Sequence, residues 1–210
     1  LGKLARLTKG IEPCDIAADV GKTTGGVVGT AGITVPAIGD VNDIEFINGT
    51  NGLLVGGSAG LGVVASTTDG GTTWNAVTTA GVTLNKELNG VHGFKNSGSY
   101  MIVGNNEDIV LYNGVDLDRS IFSTASTSGA DYHDIYFHDD LNGYIVGTGG
   151  TLLKSKDGVL NTTTKILDAI TWDIKSIDDN VASQPNSSSK TIYAVDFATR
   201  YEGFLGGDYT

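Results

Sequence analysis

Thr67-Thr68-Asp69-Gly70-Gly71-Thr72-Thr73-Trp74 brings an acid, several hydroxyls and a large aromatic ring into eight residues, a combination that an acid–base site could use. The other chemistry-bearing residues are more scattered. His92, His133 and His138 show no metal spacing such as HExxH and read as packed or exposed histidines. Asp116-Leu117-Asp118 and Asp139-Asp140-Leu141-Asn142 offer oxygens that Ca²⁺ could use, but without EF-hand or nonapeptide spacing. Gly147-Thr148-Gly149-Gly150 does not open a helix, so it reads as a strand connection and not a phosphate cradle. No serine or cysteine nucleophile elbow is present. The expectation is therefore no catalytic residue and no cofactor, with calcium the one ion for which ligands exist.

The frame that must position these residues is a repeat. Asp43-Ile44-Glu45-Phe46 is followed by Asn51-Gly52-Leu53-Leu54-Val55-Gly56. Val91-His92-Gly93-Phe94 is followed by Ser99-Tyr100-Met101-Ile102-Val103-Gly104. Asp134-Ile135-Tyr136-Phe137 leads to Asn142-Gly143-Tyr144-Ile145-Val146-Gly147, and Ala194-Val195-Asp196-Phe197 to Glu202-Gly203-Phe204-Leu205-Gly206. Phenylalanine to glycine is ten residues in three copies and nine in the last, and successive phenylalanines lie 48, 43 and 60 apart. Periods of about 40 to 50 residues with four short strands per unit belong to β-propeller blades.

Within a copy the pattern reads as a meander. Asp43 to Ile47 alternates apolar and polar, as a first strand does. Asn48-Gly49 and Asn51-Gly52 are the expected positive-φ turn residues. The apolar run from Leu53 to Gly57 suits a strand buried on both faces, Leu61 to Thr67 a third strand, and Trp74 to Thr79 a fourth. The second copy places its third strand at Ile109 to Tyr112 and its fourth at Ile121 to Ala125. The third copy gives Asp134 to His138, Tyr144 to Thr148 and Thr151 to Ser155, with Ala169 to Ile177 around Trp172 as its outer strand. The polar stretch from Asp178 to Ser189 reads as an inserted loop, where specificity usually lives.

The fold class is thus all-β, a β-propeller of four-stranded antiparallel blades forming an incomplete ring. Residues 1–40 are a terminal segment with a possible truncated blade at Gly26 to Ile33, and residues 41–210 carry blades at about 41–87, 88–130, 131–190 and, partial, 191–210. The fourth copy ends at Thr210 after two strands, so the expected object is part of a longer chain or assembly.

The opening octet now takes its place between third and fourth strands. Thr67-x-Asp69-x-Gly71-x-Thr73-Trp74 fits a hairpin whose carboxylate accepts backbone N–H groups. Its glycines permit conformations closed to other residues, and its tryptophan caps the turn. With Asp-Ile-x-Phe and Asn-Gly-Leu-Leu-Val-Gly-Gly, this octet resembles the BNR/Asp-box propellers. The similarity is greatest to the photosystem II assembly-factor-like repeats, also found in secreted bacterial proteins. It covers about residues 43–210. The resemblance implies that Thr67, Asp69, Gly71, Thr73 and Trp74 are structural. Ser155-x-Asp157-Gly158 is a degraded second copy without its tryptophan at the expected offset. The sialidases that share these boxes use three arginines and a tyrosine nucleophile. Here only Arg119 and Arg200 fall within the repeats, and no Phe-Arg-Ile-Pro motif occurs.

Charge narrows the partners. A net charge of −11 disfavours nucleic acid and anionic membranes, and departs from the basic patch expected of the namesake assembly factors. No stretch approaches the roughly 18 apolar residues of a membrane span. The single Cys14 excludes an intrachain disulfide. The chain is accordingly expected to be a non-catalytic module that binds another protein or a glycan, secreted or on a bacterial cell surface, with the periplasm as the alternative compartment. The other functions kept open are a glycosidase working through two carboxylates and an assembly factor for a membrane complex.

Overall fold

The computed structural model describes residues 39–77, 82–119, 122–124, 127, 129–156, 159–160, 167–168, 170–175 and 190–208. Residues 26–33, 78–79 and 178–189, to which the sequence assigned a truncated blade, a strand end and a loop, lie outside them. Among the described residues no helix is long and apolar enough to cross a membrane.

The first antiparallel meander is β1 (Asp40–Phe46), β2 (Gly52–Ser58), β3 (Leu61–Thr67) and β4 (Asn75–Ala76). The second is β5 (Leu88–Phe94), β6 (Ser99–Gly104), β7 (Asp108–Tyr112) and β8 (Leu117–Asp118). After β9 (Phe122–Thr124), the third blade runs β10 (Tyr132–Phe137), β11 (Gly143–Gly147) and β12 (Leu152–Lys156). A small hairpin, β13 (Val159–Leu160) and β14 (Leu167–Asp168), precedes its outer strand β15 (Ile170–Ile174). The fourth unit is the pair β16 (Ile192–Thr199) and β17 (Glu202–Gly207). Second strands are buried, β2 through its first six residues and β6 throughout; Leu53 and Val55 of β2 pack against the second blade, and Leu54 packs within its own blade against Ala65 and Trp74.

One strand assignment needs correction. The fourth strand of the second blade is β8, not Ile121 to Ala125. Asn113 closes a short turn by accepting from the amides of Val115 and Asp116, at 2.9 and 2.7 Å, so the chain reverses at once. Phe122–Thr124 instead joins the third blade as β9, parallel to β15. It blocks an edge that would otherwise present unpaired backbone.

Blades stack through apolar faces. Leu53, Val55 and Val64 meet Leu88, Val91 and Ile102 between the first and second. Met101, Val103 and Ile109 meet Tyr132, Ile135 and Trp172 between the second and third. Val146 meets Ile192 and Val195 between the third and fourth. Among the described residues no cluster joins the fourth blade to the first. Ile44 and Phe46 on β1 are each 37% exposed, while their counterparts Ile135 and Phe137 are 3% and 4%. The described blades therefore form an arc with an uncovered face at β1.

The glycine at the start of the second strand in three of the four units works differently from the turn role predicted for Gly52. Neither Gly49 nor Gly52 has positive φ; the reversal is made by the Asn48 carboxamide oxygen, which accepts from the amides of Thr50 and Asn51. Gly52, Gly143 and Gly203 sit opposite Phe46, Phe137 and Phe197 in the register. A Cβ at these glycines would stand 2.7, 2.5 and 2.6 Å from the facing ring. The phenylalanine lies where the side chain would be.

Gly143→Ala should lower unfolding free energy by about 1–3 kcal/mol through this overlap. Gly49→Ala, which meets no atom within 4 Å, should change it by less than about 0.5 kcal/mol. Urea denaturation of both variants checks the pair.

Candidate functional site

The octet is fully engaged in its own hairpin. The Thr67 hydroxyl donates to Asp69 Oδ1 at 2.9 Å and accepts from the Gly71 amide at 3.0 Å. The same Asp69 oxygen accepts from the Thr73 amide at 2.9 Å. That bond, foremost, holds the carboxyl below the usual carboxylate range. Gly70 and Gly71 take φ of 70° and 82°, which a Cβ would strain. The Gly70 amide ties the hairpin to the first turn through the Thr50 carbonyl at 2.9 Å. Trp74 is buried and meets Phe46 edge-on, centroids 5.8 Å apart and planes at 78°.

The third blade has the same contact by another route. Phe137 and Trp172 lie 5.7 Å apart at 79°, although Trp172 comes ten residues later after Ser155 than Trp74 does after Thr67. The β13–β14 hairpin takes up the difference. The missing tryptophan of the degraded copy is thus displaced, not lost. Ser155 serves the neighbouring turn, accepting from the Gly143 amide at 2.7 Å and donating to the Leu141 carbonyl at 2.6 Å.

The remaining candidates are also occupied. Asp139 Oδ1 accepts from the amides of Leu141 and Asn142, and Asp140 from Asn96 at 2.7 Å. Arg119 grips Asp108 with two bonds, 2.8 and 2.6 Å, and donates to the Thr83 carbonyl. Arg200 lies over Tyr201. Thr148–Gly150 forms a single 3-10 turn connecting β11 to β12. Among the described residues no three histidine, cysteine or acidic side chains are grouped to hold a metal. His92 packs against Phe94, Tyr136 and Phe137, and burial, partly offset by Asp140, pushes its pKa down to about 4.

What the first strands of the four units, the inner strands β1, β5, β10 and β16, do share is a bulge. At corresponding places the register skips Asn42, Asn89, His133 and Tyr193, and β16 skips a second residue, Ala198. Opposite the bulges stand Gly56, Gly104, Gly147 and Gly207, where a Cβ would fall onto the carbonyl oxygens of Asp40, Glu87, Asp131 and Thr191. The fourth-copy glycine is therefore Gly207, not Gly206, and the phenylalanine-to-glycine spacing is ten residues in all four copies.

The bulged residues converge on one open cavity of about 470 Å³, lined by Asn42, Glu87, Asn89, Asn105, Asp131, His133 and Tyr193. The Asn42 amide nitrogen donates to the Leu88 carbonyl and that of Asn89 to the Tyr132 carbonyl, at 2.8 and 2.7 Å, each bridging to the next blade. His133 and Tyr193 face one another with centroids 5.1 Å apart. Of these residues sequence reasoning weighed only His133, and only as a metal ligand. Their common signal was an offset, fourteen residues before the glycine in three copies and fifteen in the second, visible only once Gly207 is aligned.

Further along the inner strands are two part-buried acids. Asp43 Oδ2 accepts from the Val91 amide and Asp134 Oδ2 from the Val195 amide, both at 2.8 Å, and each Oδ1 holds the amide of the following residue. Burial, outweighing these bonds, raises both pKa values, and the Asp43 charge adds to the rise at Asp134. All four oxygens are engaged, and the two Oδ2 atoms clamp blade to blade.

This sheet order and stacking can be compared with solved structures. YCF48 from Cyanidioschyzon merolae is similar, with a TM-score of 0.53 at 14% identity over 84% of this chain and 50% of that one. The chain adopts a β-propeller fold. A second structure, YCF48 bound to D1 peptide, gives a TM-score of 0.49 at 15% identity over 83% and 50%. The propeller chain thus spans about half the length of the structures it matches. No family model matches it, and no curated protein does.

Thr67→Val removes a buried acceptor from the Gly71 amide of this propeller's first blade and should cost about 1–3 kcal/mol in urea unfolding. For His92 the sign follows from a depressed native pKa. The unfolded chain takes up the proton below pH 6.5 and the native one only near 4, so stability falls as pH drops through that window. The loss should reach at most about 3 kcal/mol. A His92→Phe variant should flatten the unfolding-versus-pH curve between pH 7 and 4.

Proposed function

We propose that this propeller is a non-catalytic interaction module of a larger secreted or cell-surface bacterial protein, and that a segment of another protein docks in the cavity at the inner-strand bulges. One observation carries the reading. The positions that build the frame repeat their residue types from blade to blade, whereas the bulged position varies as Asn42, Asn89, His133 and Tyr193 and delivers all four into one cavity. Constant frame with variable residues at a shared concave site is how rigid scaffolds carry recognition. Catalysis is not part of the reading, because Asp43 and Asp134 are each already bound to two backbone amides. Neither is placed to alternate between proton donor and nucleophile as a glycosidase pair must.

An unbiased displayed-peptide selection on the full chain tests this, alongside a glycan array. Enriched peptides should bind at least about tenfold more weakly to a His133→Trp variant that fills the cavity, a loss of about 1.4 kcal/mol. Peptides that bind both proteins equally would overturn the site. Glycan binding sensitive to His133→Trp, without peptide enrichment, would overturn the protein partner.

A further inference from the structure

We infer that this cavity selects a cation on the docking segment, a lysine or arginine side chain held between the carboxylates of Glu87 and Asp131 and the ring of Tyr193. The inference rests on the docking reading above and adds the chemistry of the partner.

The first ground is where the repeat places acids. Asp40, Glu87 and Asp131 occupy one position in three successive blades, each just ahead of the residue paired with the bulge glycine, and Thr191 takes that position in the fourth. The glycine clefts fix the backbone at all four through the carbonyl that enters them. Glu87 and Asp131 line the cavity. Asp131 accepts the Asn106 amide on Oδ1 only, at 2.8 Å.

The second ground is hydrogen-bond polarity. The Asn42 and Asn89 amide nitrogens are already committed to the carbonyls of the next blade, and Asn89 also donates to Asn105 Oδ1 at 2.7 Å. Asn42 also reaches the Asn89 side-chain oxygen, at 3.5 Å, so the side-chain oxygen of Asn42 is the end left for a ligand, and it suits a donor-rich group. A guanidinium offers five N–H donors and an ammonium three.

The third is the aromatic wall. Tyr193 is 52% exposed and is steadied by its hydroxyl on Asp208 at 3.2 Å and by the His133 ring. An open tyrosine face beside carboxylates is a cation–π seat. Two basic residues near it, Lys86 and His133, do not claim it. Lys86 donates to the Asn106 carbonyl at 2.9 Å. Burial, against the pull of Asp131, holds the His133 pKa below the ordinary histidine value, which disfavours its charged form. The overall charge of −11 adds long-range attraction for such a partner.

Fluorescence anisotropy of the full chain with labelled peptides of equal length, rich in arginine, lysine, glutamine or glutamate, tests the inference. Arginine and lysine peptides should bind and glutamine and glutamate peptides should not. Glu87→Gln with Asp131→Asn should weaken basic-peptide binding by about five- to thirtyfold, and Tyr193→Leu by about three- to tenfold. Asp173→Asn with Glu202→Gln, acids outside the cavity, should change it by less than about twofold. Equal weakening by the two acid pairs would reduce the effect to net charge and overturn the inference. So would glutamine peptides binding as well as basic ones. Should selected peptides without a cation still lose binding to His133→Trp, the docking reading stands and only the cationic preference falls.

Discussion

A carbonyl oxygen lying where a side chain would begin is the constraint on which each blade of this propeller depends. At Gly56, Gly104, Gly147 and Gly207 the preceding segment of the inner strand comes so close that only hydrogen fits. The close approach and the bulge are two sides of one geometry, since an extra residue on one strand bends it toward its partner and turns the skipped side chain out of the ladder. Without glycine there the inner strand could not bulge. Without the bulge, Asn42, Asn89, His133 and Tyr193 would pair in register and point along the blade faces. Frame and cavity thus come from one backbone event repeated four times.

Around that event the blades are fastened by a second repeated contact. A phenylalanine ring rests on the glycine opposite and receives a tryptophan edge, as Phe46 receives Trp74 and Phe137 receives Trp172. Edge-to-face pairs contribute about 0.5–1.5 kcal/mol beyond the area they bury, so they orient more than they stabilise. The larger contribution comes from the apolar faces between blades. The same face is left open on β1, where Ile44 and Phe46 stay partly in solvent.

Much of this architecture was legible because the constraints are steric and local. Phe46, Phe94, Phe137 and Phe197, the apolar second strands, and Ile170–Ile174 around Trp172 all stood out as pattern. Where the reading failed, a distant partner decided. Phe122–Thr124 has the composition of a strand, but its partner β15 comes some 48 residues later, which no period in the sequence announces. Gly206 and Gly207 are indistinguishable until the ladder shows which one faces the Thr191 carbonyl. The candidate site was hidden for the opposite reason. Its residues differ from blade to blade, so a search for similarity passes over them, and the motif that drew attention, Thr67 to Trp74, is engaged with itself.

The displacement of Trp172 has a consequence for how such a chain can change. Its seat is set by the ring of Phe137 and by pairing with Ser155 on β12, not by its distance along the chain from the turn. Closing a longer loop costs little, only about 0.6 kcal/mol per doubling of length. The hairpin tip between third and fourth strands is therefore a port. Foreign segments of many residues can enter there while the blade stays shut, and new surface can be acquired without disturbing the bulges on the other side of the sheet.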